Sequence, residues 1–529
     1  MTPARRRPAG SRSRTRFPSL RKVVAAVATL VSLSLMLSAC VFSLPVNGDG
    51  AGNANSTQES IAASAPEGLK DFYTQKLNWT SCEKDFQCAN VKVPVDYANP
   101  NAGSISIAAI RLRSQGTKKG SLLVNPGGPG ASGYDFVRDA GTTHFSSKLR
   151  SNFDLVGFDP RGVKRSAPVT CQTDSERDAS REKVYRYDTD QGIAAALADN
   201  KAIIAECVAK SGPALPYIDT QSSAKDMDIL RATLGDTKLN YLGFSYGTSL
   251  GSTYASLFPD NVGKVVLDGA VDPALNNEDL TAGQAEAFEK ALHSYVADCQ
   301  SHAGCPMTGN VDEGVRQIQA LITDVEQTPQ RAKDGRLVTG ATFVSGLFTP
   351  LYDNQSWPVL TQALTAAFQG DVSLMLRIAD IGADRDPNGT YTSNTAFAFN
   401  AINCLDYPMV TDTPGMRAEE ARLKQLSPTF GYYFAYGGIN CKDWPYKPVH
   451  IPAPVKYSGK APIVVVGTTG DPATPIAWAG SLRKELGNAS LVTWQGEGHT
   501  AYGRSNSCVT NSVDDYFVDG KVPSDGTMC

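Results

Sequence analysis

The sequence predicts an α/β fold, a mostly parallel sheet interrupted by a mostly helical insertion, and three observations carry this. Short apolar runs alternate with helical ones from Glu67 to about Asp272. The pattern then turns helical for about 180 residues after Pro273, and strand-like runs return near Ala461. Two or so strands at the end would not make a stable sheet alone, so they are expected to complete the first one.

The chain opens on a leader. Arg5, Arg6, Arg7, Arg12, Arg14, Arg16, Arg21 and Lys22 precede the apolar run Val23 to Leu37, and residues 1–39 are expected to form a secretory signal peptide. The run is about 15 residues long, short of the roughly 20 that a spanning helix needs. Leu37-Ser38-Ala39-Cys40 resembles a bacterial lipobox, so cleavage before Cys40 and acylation of its thiol are expected. That lipid would hold the protein on the outer face of the cell membrane, unless it is shed to the medium. Residues 40–66, rich in Gly, Ser, Ala and Asn without apolar periodicity, read as a flexible tether. Without the eight leader cations the formal charge of −3 becomes −11, which argues against a nucleic-acid partner.

Residues 67–272 read as the first part of the core. Its strands are expected at Ser104 to Arg113, Gly120 to Pro126, Phe153 to Pro160, Leu239 to Ser245 and Lys264 to Gly269, with a helix from Ser222 to Gly235. Residues 273–457 read as the helical insertion: Phe288, Leu292, Tyr295, Val296 and Cys299 form one stripe, and Val315, Ile318, Leu321, Ile322 and Val325 another. Residues 458–529 complete the core, with strands in Ala461 to Pro475 and Ser490 to Thr500.

Of eleven cysteines, ten remain when Cys40 is set aside, an even number that points to five disulfides in an exported chain. Pairing near neighbours (Cys82 with Cys88, Cys171 with Cys207, Cys299 with Cys305, Cys404 with Cys441, Cys508 with Cys529) would close local loops, but spacing leaves the connectivity open. No C-x-x-C or H-E-x-x-H pattern occurs and the five histidines are scattered, so no metal site is expected.

The pattern G-x-S-x-G occurs twice, overlapping, in Gly243 to Gly251. A nucleophile elbow needs a strand running into the serine and a helix leaving it, and only Ser245 has both. Ser249 falls one turn into the helix, where its hydroxyl is expected to bond back to the Ser245 carbonyl. A serine needs a base held by an acid. Of the histidines after Ser245, His293, His302 and His450 sit in a helix, a cysteine loop and a Pro-rich exit. His499 alone follows a core strand in a Gly-flanked loop. Asp471 ends the preceding strand and is the expected acid, with Asp268 as its rival and Thr474 as a support of the Asp471 loop. The oxyanion donors are expected to be the amides of Tyr246 and, in Asn125 to Gly130, of Gly128, with Gly127 close behind. Arg161, in Asp159 to Gly162, reads as half of a structural ion pair.

Taken together, NPGGPG, FDPRG, GFSYGTSLG, GTTGDPATP, GEGHT and the Cys508 to Cys529 segment resemble the actinobacterial secreted tripeptidyl aminopeptidases of the proline-iminopeptidase-like α/β-hydrolases. The likeness runs from about Leu69 to Cys529. It implies an α/β-hydrolase core with a helical cap, no cofactor, and release of tripeptides from peptide substrates with free N-termini. It also implies cap acids that bind the substrate ammonium, for which Asp406 and Asp443, beside Cys404 and Cys441, are the candidates. A carboxylesterase or lipase using the same triad is the runner-up, and a non-catalytic surface binding protein the third reading. The oligomeric state is left open.

Overall fold

The computed structural model of the protein describes residues 65–529; the leader, Cys40 and all but the last two residues of the tether lie outside the described residues. Ten strands form one sheet: β1 (Thr80–Ser81), β2 (Phe86–Pro94), β3 (Ser104–Leu112), β4 (Gly120–Asn125), β5 (Phe153–Phe158), β6 (Leu239–Phe244), β7 (Val262–Asp268), β10 (Ile463–Gly470), β11 (Ala489–Glu497) and β12 (Thr527–Met528). A separate antiparallel hairpin pairs β8 (Gln330–Arg331) with β9 (Leu337–Val338). The sheet order is β1-β2-β3-β5-β4-β6-β7-β10-β11-β12. The β1-β2, β2-β3 and β3-β5 pairs are antiparallel, and all others are parallel. This is the α/β-hydrolase architecture.

The central strands are buried along most of their length and mainly apolar because helices cover both faces, as parallel strands require. Side chains alternate between two cores. Leu123, Val156, Tyr241, Val265, Leu267 and Val465 pack with Leu230 and Leu250 on one face. Leu122, Val124, Leu155, Leu242, Val266, Val464 and Val466 pack with Val137 and Val513 on the other. Fully burying each Val or Leu contributes about 1.5–3 kcal/mol, so register is strongly fixed: a one-residue slip would exchange the two sets.

Strand β2 is absent from the sequence expectation. Its run FQCANVKVP mixes exposed and buried positions, and it pairs with β3 over nine residues, Val91 opposite Ile107. Between β7 and β10 the chain is mainly helical, from Asn277–Gln300 through Gly431–Phe434, around a core that includes Leu292, Ile318, Phe343 and Leu360. Since β7 and β10 are parallel neighbours, this whole cap is their crossover. Helices Asp174–Arg181 and Asp190–Lys210, from between β5 and β6, join it. Asp178 pairs with Arg385 at 2.7 Å and Arg181 with Asp380 at 2.7 Å.

Five disulfides link the ten cysteines between near neighbours: Cys82–Cys88, Cys171–Cys207, Cys299–Cys305, Cys404–Cys441 and Cys508–Cys529. Among the described residues no bridge spans more than 37 positions.

Candidate active site

Ser245 sits between β6 and the helix Tyr246–Leu257 with φ 57° and ψ −126°, a backbone region that costs a non-glycine residue of order 1–3 kcal/mol. Its amide is held by the Asp268 carbonyl at 2.9 Å. The neighbouring loop reaches it through Gly127, φ 99°, where an added Cβ would lie 2.9 Å from the Ser245 Cβ and 2.5 Å from the Phe244 oxygen. The helix carries Ser249 one turn on, but the hydroxyl that takes the Ser245 carbonyl belongs to Thr248, at 2.6 Å. Thr248 is fully buried, which brings its short side chain back onto the elbow.

His499 follows β11 and faces Asp471, which follows the neighbouring β10. His499 Nδ1 lies 2.9 and 3.0 Å from the two Asp471 oxygens. Asp471 also accepts the amides of Ala473 (2.9 Å), Thr474 (2.8 Å) and Thr500 (3.0 Å), and the Thr474 hydroxyl at 3.0 Å. Burial alone would raise its pKa; the charge of His499 and the hydrogen bonds from His499, Thr474 and Thr500 outweigh it and hold the carboxyl below the ordinary range. Asp471 is therefore ionised and aimed at Nδ1, which leaves Nε2 as the free face of the ring.

The elbow and the histidine loop meet at the end of β7. A Cβ at Gly269, φ 67°, would lie 3.3 Å from His499 Cε1, while the carbonyl one residue earlier holds Ser245. Asp268, the rival acid, does not touch the imidazole through any hydrogen bond. Its buried carboxylate accepts the amides of Ala501 (3.0 Å) and Tyr502 (2.7 Å), so it supports the loop that carries His499. The cap closes over the other side: the Tyr352 carbonyl accepts the His499 amide at 2.7 Å, and the two rings stand edge to face at 5.4 Å.

The loop Asn125 to Gly130 lies against the elbow. The Gly127 amide is taken by Asn125 Oδ1 at 2.9 Å, which removes Gly127 as an oxyanion donor and leaves Gly128 next in line. As first residue of its helix, Tyr246 has an amide with no intrahelical acceptor. Cap helix Thr395–Asp406 crosses this loop; a Cβ at Gly130 would lie 2.9 Å from the Ala398 Cβ.

The two cap aspartates part company. Asp443 is exposed beside Cys441. Asp406 is 5% exposed and turned into the protein, its oxygens accepting the amide of Thr220 at 2.9 Å and its hydroxyl at 2.5 Å. The structure thus does not offer Asp406 as an open ammonium subsite, since its carboxylate is buried and both oxygens are turned onto Thr220. Arg161 is fully buried and meets Asp226 with two bonds, at 2.7 and 2.6 Å. The other histidines after Ser245 find partners of their own: His293 lies 3.7 Å from Asp312, His302 bonds the Asp298 carbonyl at 2.8 Å, and His450 lies 3.4 Å from Gln221.

Sequence reasoning missed Thr220, Thr248, Tyr352 and the loop-holding role of Asp268. Of these Asp268 carried a local signal, as an acid ending a strand, and Thr248 lies within one turn of the serine it supports; Thr220 and Tyr352 act through partners far away in the chain.

Residues 427–529 match the family described as TAP-like protein. Over 476 residues the chain is 36% identical to serine protease Hip1 of Mycobacterium tuberculosis, covering 86% of this chain and 91% of that one. It is 35% identical over 491 residues to carboxylesterase B of the same species, covering 90% and 94%. It is 30% identical over 474 residues to the tripeptidyl aminopeptidase of Streptomyces lividans, covering 86% of each.

Proposed function

Because the chain belongs to the TAP-like family of α/β hydrolases and is a serine hydrolase, we propose that it is an exported exopeptidase that releases tripeptides from free N-termini. The observation that carries the catalytic assignment is the ionised Asp471 bonded to His499 Nδ1, beside a serine held in a strained elbow. In this reading Ser245 attacks the scissile carbonyl and His499 Nε2 takes its proton. The tetrahedral oxyanion forms against the amides of Tyr246 and Gly128. His499 then protonates the leaving amine, and water, activated by the same imidazole, releases the acyl group from Ser245. Asp471 fixes the ring and stabilises the imidazolium.

The peptidase reading is supported by two relatives whose names are those of peptidases. Of the two cap aspartates, Asp443 is the one with an exposed carboxylate for a substrate ammonium. The leader and the Leu37 to Cys40 motif support export and a lipid anchor on Cys40. Carboxylesterase action is the second reading, favoured by the carboxylesterase relative. Hydrolysis of unblocked tripeptide anilides, their N-acetyl forms and short acyl esters separates the two. The exopeptidase predicts strong preference for the unblocked peptide; equal or faster turnover of the blocked peptide or the ester would overturn it.

A further inference from the structure

The geometry assigns Asp406 as a positioning residue of the cap that holds the oxyanion-hole residue Tyr246 in place through Thr220. Three contacts make the connection. Asp406, the last residue of helix Thr395–Asp406, accepts both the amide and the hydroxyl of Thr220. Thr220 begins the core helix Thr220–Thr233, which Asp219 caps by accepting the Ser222 amide at 2.8 Å. The Thr220 oxygen is in turn in hydrogen-bond contact with the Tyr246 hydroxyl. The protons balance along this line: Tyr246 donates to Thr220, and Thr220 donates to the carboxylate.

What the line acts on is the residue whose backbone amide faces the developing oxyanion. Ser245 holds a positive φ that it would relax if its surroundings allowed. Tyr246 is the next residue, and pinning its side chain at the tip restricts rotation about its own Cα, hence the aim of its amide. The contact comes through Thr220 of the core helix, and Thr220 is held in turn by Asp406 of the cap, so the pin is anchored in the cap. Helix Thr395–Asp406 also lies on Gly130, so the same element rests on the loop that carries the second proposed donor. Both halves of the oxyanion hole are therefore referenced to one cap helix, which the Cys404–Cys441 bridge ties to the following cap segment.

This rests on Ser245 as nucleophile and Tyr246 as donor, and the experiment separates the two. Wild-type protein is first labelled with a fluorophosphonate and the modified residue mapped; absence of label on Ser245 would defeat the underlying assignment, not the positioning. Steady-state kinetics on an unblocked tripeptide anilide and on p-nitrophenyl acetate are then compared for Asp406→Asn, Thr220→Val, Thr220→Ser and Tyr246→Phe. Loss of donor alignment predicts a kcat lower by about tenfold or more on both substrates with KM within about twofold. Thr220→Ser, which keeps the hydroxyl, is expected to stay close to wild type. If Asp406→Asn does not fold, the core-side variants Thr220→Val and Tyr246→Phe carry the same test. Unchanged kcat in Thr220→Val and Tyr246→Phe overturns the proposal, as does a raised KM for the peptide alone, which would make Asp406 a substrate contact.

Discussion

The backbone carbonyl of Asp268 accepts the amide of Ser245 at 2.9 Å, while the carboxylate of the same residue accepts the amides of Ala501 and Tyr502 just past His499. One residue at the end of β7 thus spans the two parts of the apparatus. Replacing the carboxylate by an amide would turn an NH2 toward backbone donors. Asp268→Asn is expected to lower kcat by at least about tenfold and stability by about 1–3 kcal/mol. Asp471→Asn, which removes the group that orients the imidazole, is expected to lower kcat by about 10⁴. Measured side by side, an Asp268→Asn loss as large as that of Asp471→Asn would return Asp268 to contention as the catalytic acid.

The two overlapping G-x-S-x-G patterns make separable predictions. Fluorophosphonate labelling is expected to vanish in Ser245→Ala and to persist in Ser249→Ala. Retained labelling in Ser245→Ala would move the nucleophile elsewhere.

Gly127 is expected to be intolerant. A methyl group there would press on the Phe244 oxygen and the Ser245 Cβ in a backbone conformation that L residues avoid. Gly127→Ala should therefore abolish turnover and cost at least about 2 kcal/mol of stability, read from urea unfolding. Wild-type turnover in this variant would show that the loop does not approach the elbow as described.

Buried Asp268 and Asp406 predict a pH dependence of stability. Burial pushes Asp268 up to about 6 and Asp406 up to about 7, from an ordinary value of 3.8. Both bind protons more tightly folded than unfolded, so the stability they contribute is complete below about pH 4 and is lost as pH rises toward 7. Asp471 works in the other direction: its depressed pKa gives stability above its ordinary value that is lost in acid. Asp406→Asn is expected to flatten the decline between pH 4 and 7 by at least about 1 kcal/mol, compared in the Ser245→Ala background. Parallel pH profiles for the two proteins would contradict this.

Much of the site was legible because each catalytic candidate ends a strand. Ser245, Asp471 and His499 follow β6, β10 and β11, and apolar runs with Gly or Pro at their ends announce such strands within a few residues. Strand β2 escaped notice because it is antiparallel and near the sheet edge, so polar Gln87, Asn90 and Lys92 interrupt its apolar positions. The direction of Asp406 was not legible at all. Its place beside Cys404 made it a candidate for the substrate ammonium, and its partner Thr220 lies 186 positions earlier. The disulfide pairing, left open by spacing, follows from the strands and helices that bring each pair together.

The cap as a crossover has a consequence for how such enzymes diversify. An excursion that leaves and re-enters a sheet between two adjacent parallel strands adds no new crossing to the ladder, and among the described residues no disulfide stitches it to the core across that junction. Descendants can lengthen it, shorten it or acquire another in its place while β7 and β10 keep their register and the proposed triad its spacing. In the proposed arrangement the cost falls locally, on the few contacts that run from Asp406 through Thr220 to Tyr246. Lineages that exchange caps are thus expected to keep, or to reinvent, a polar hook onto the residue after the nucleophile.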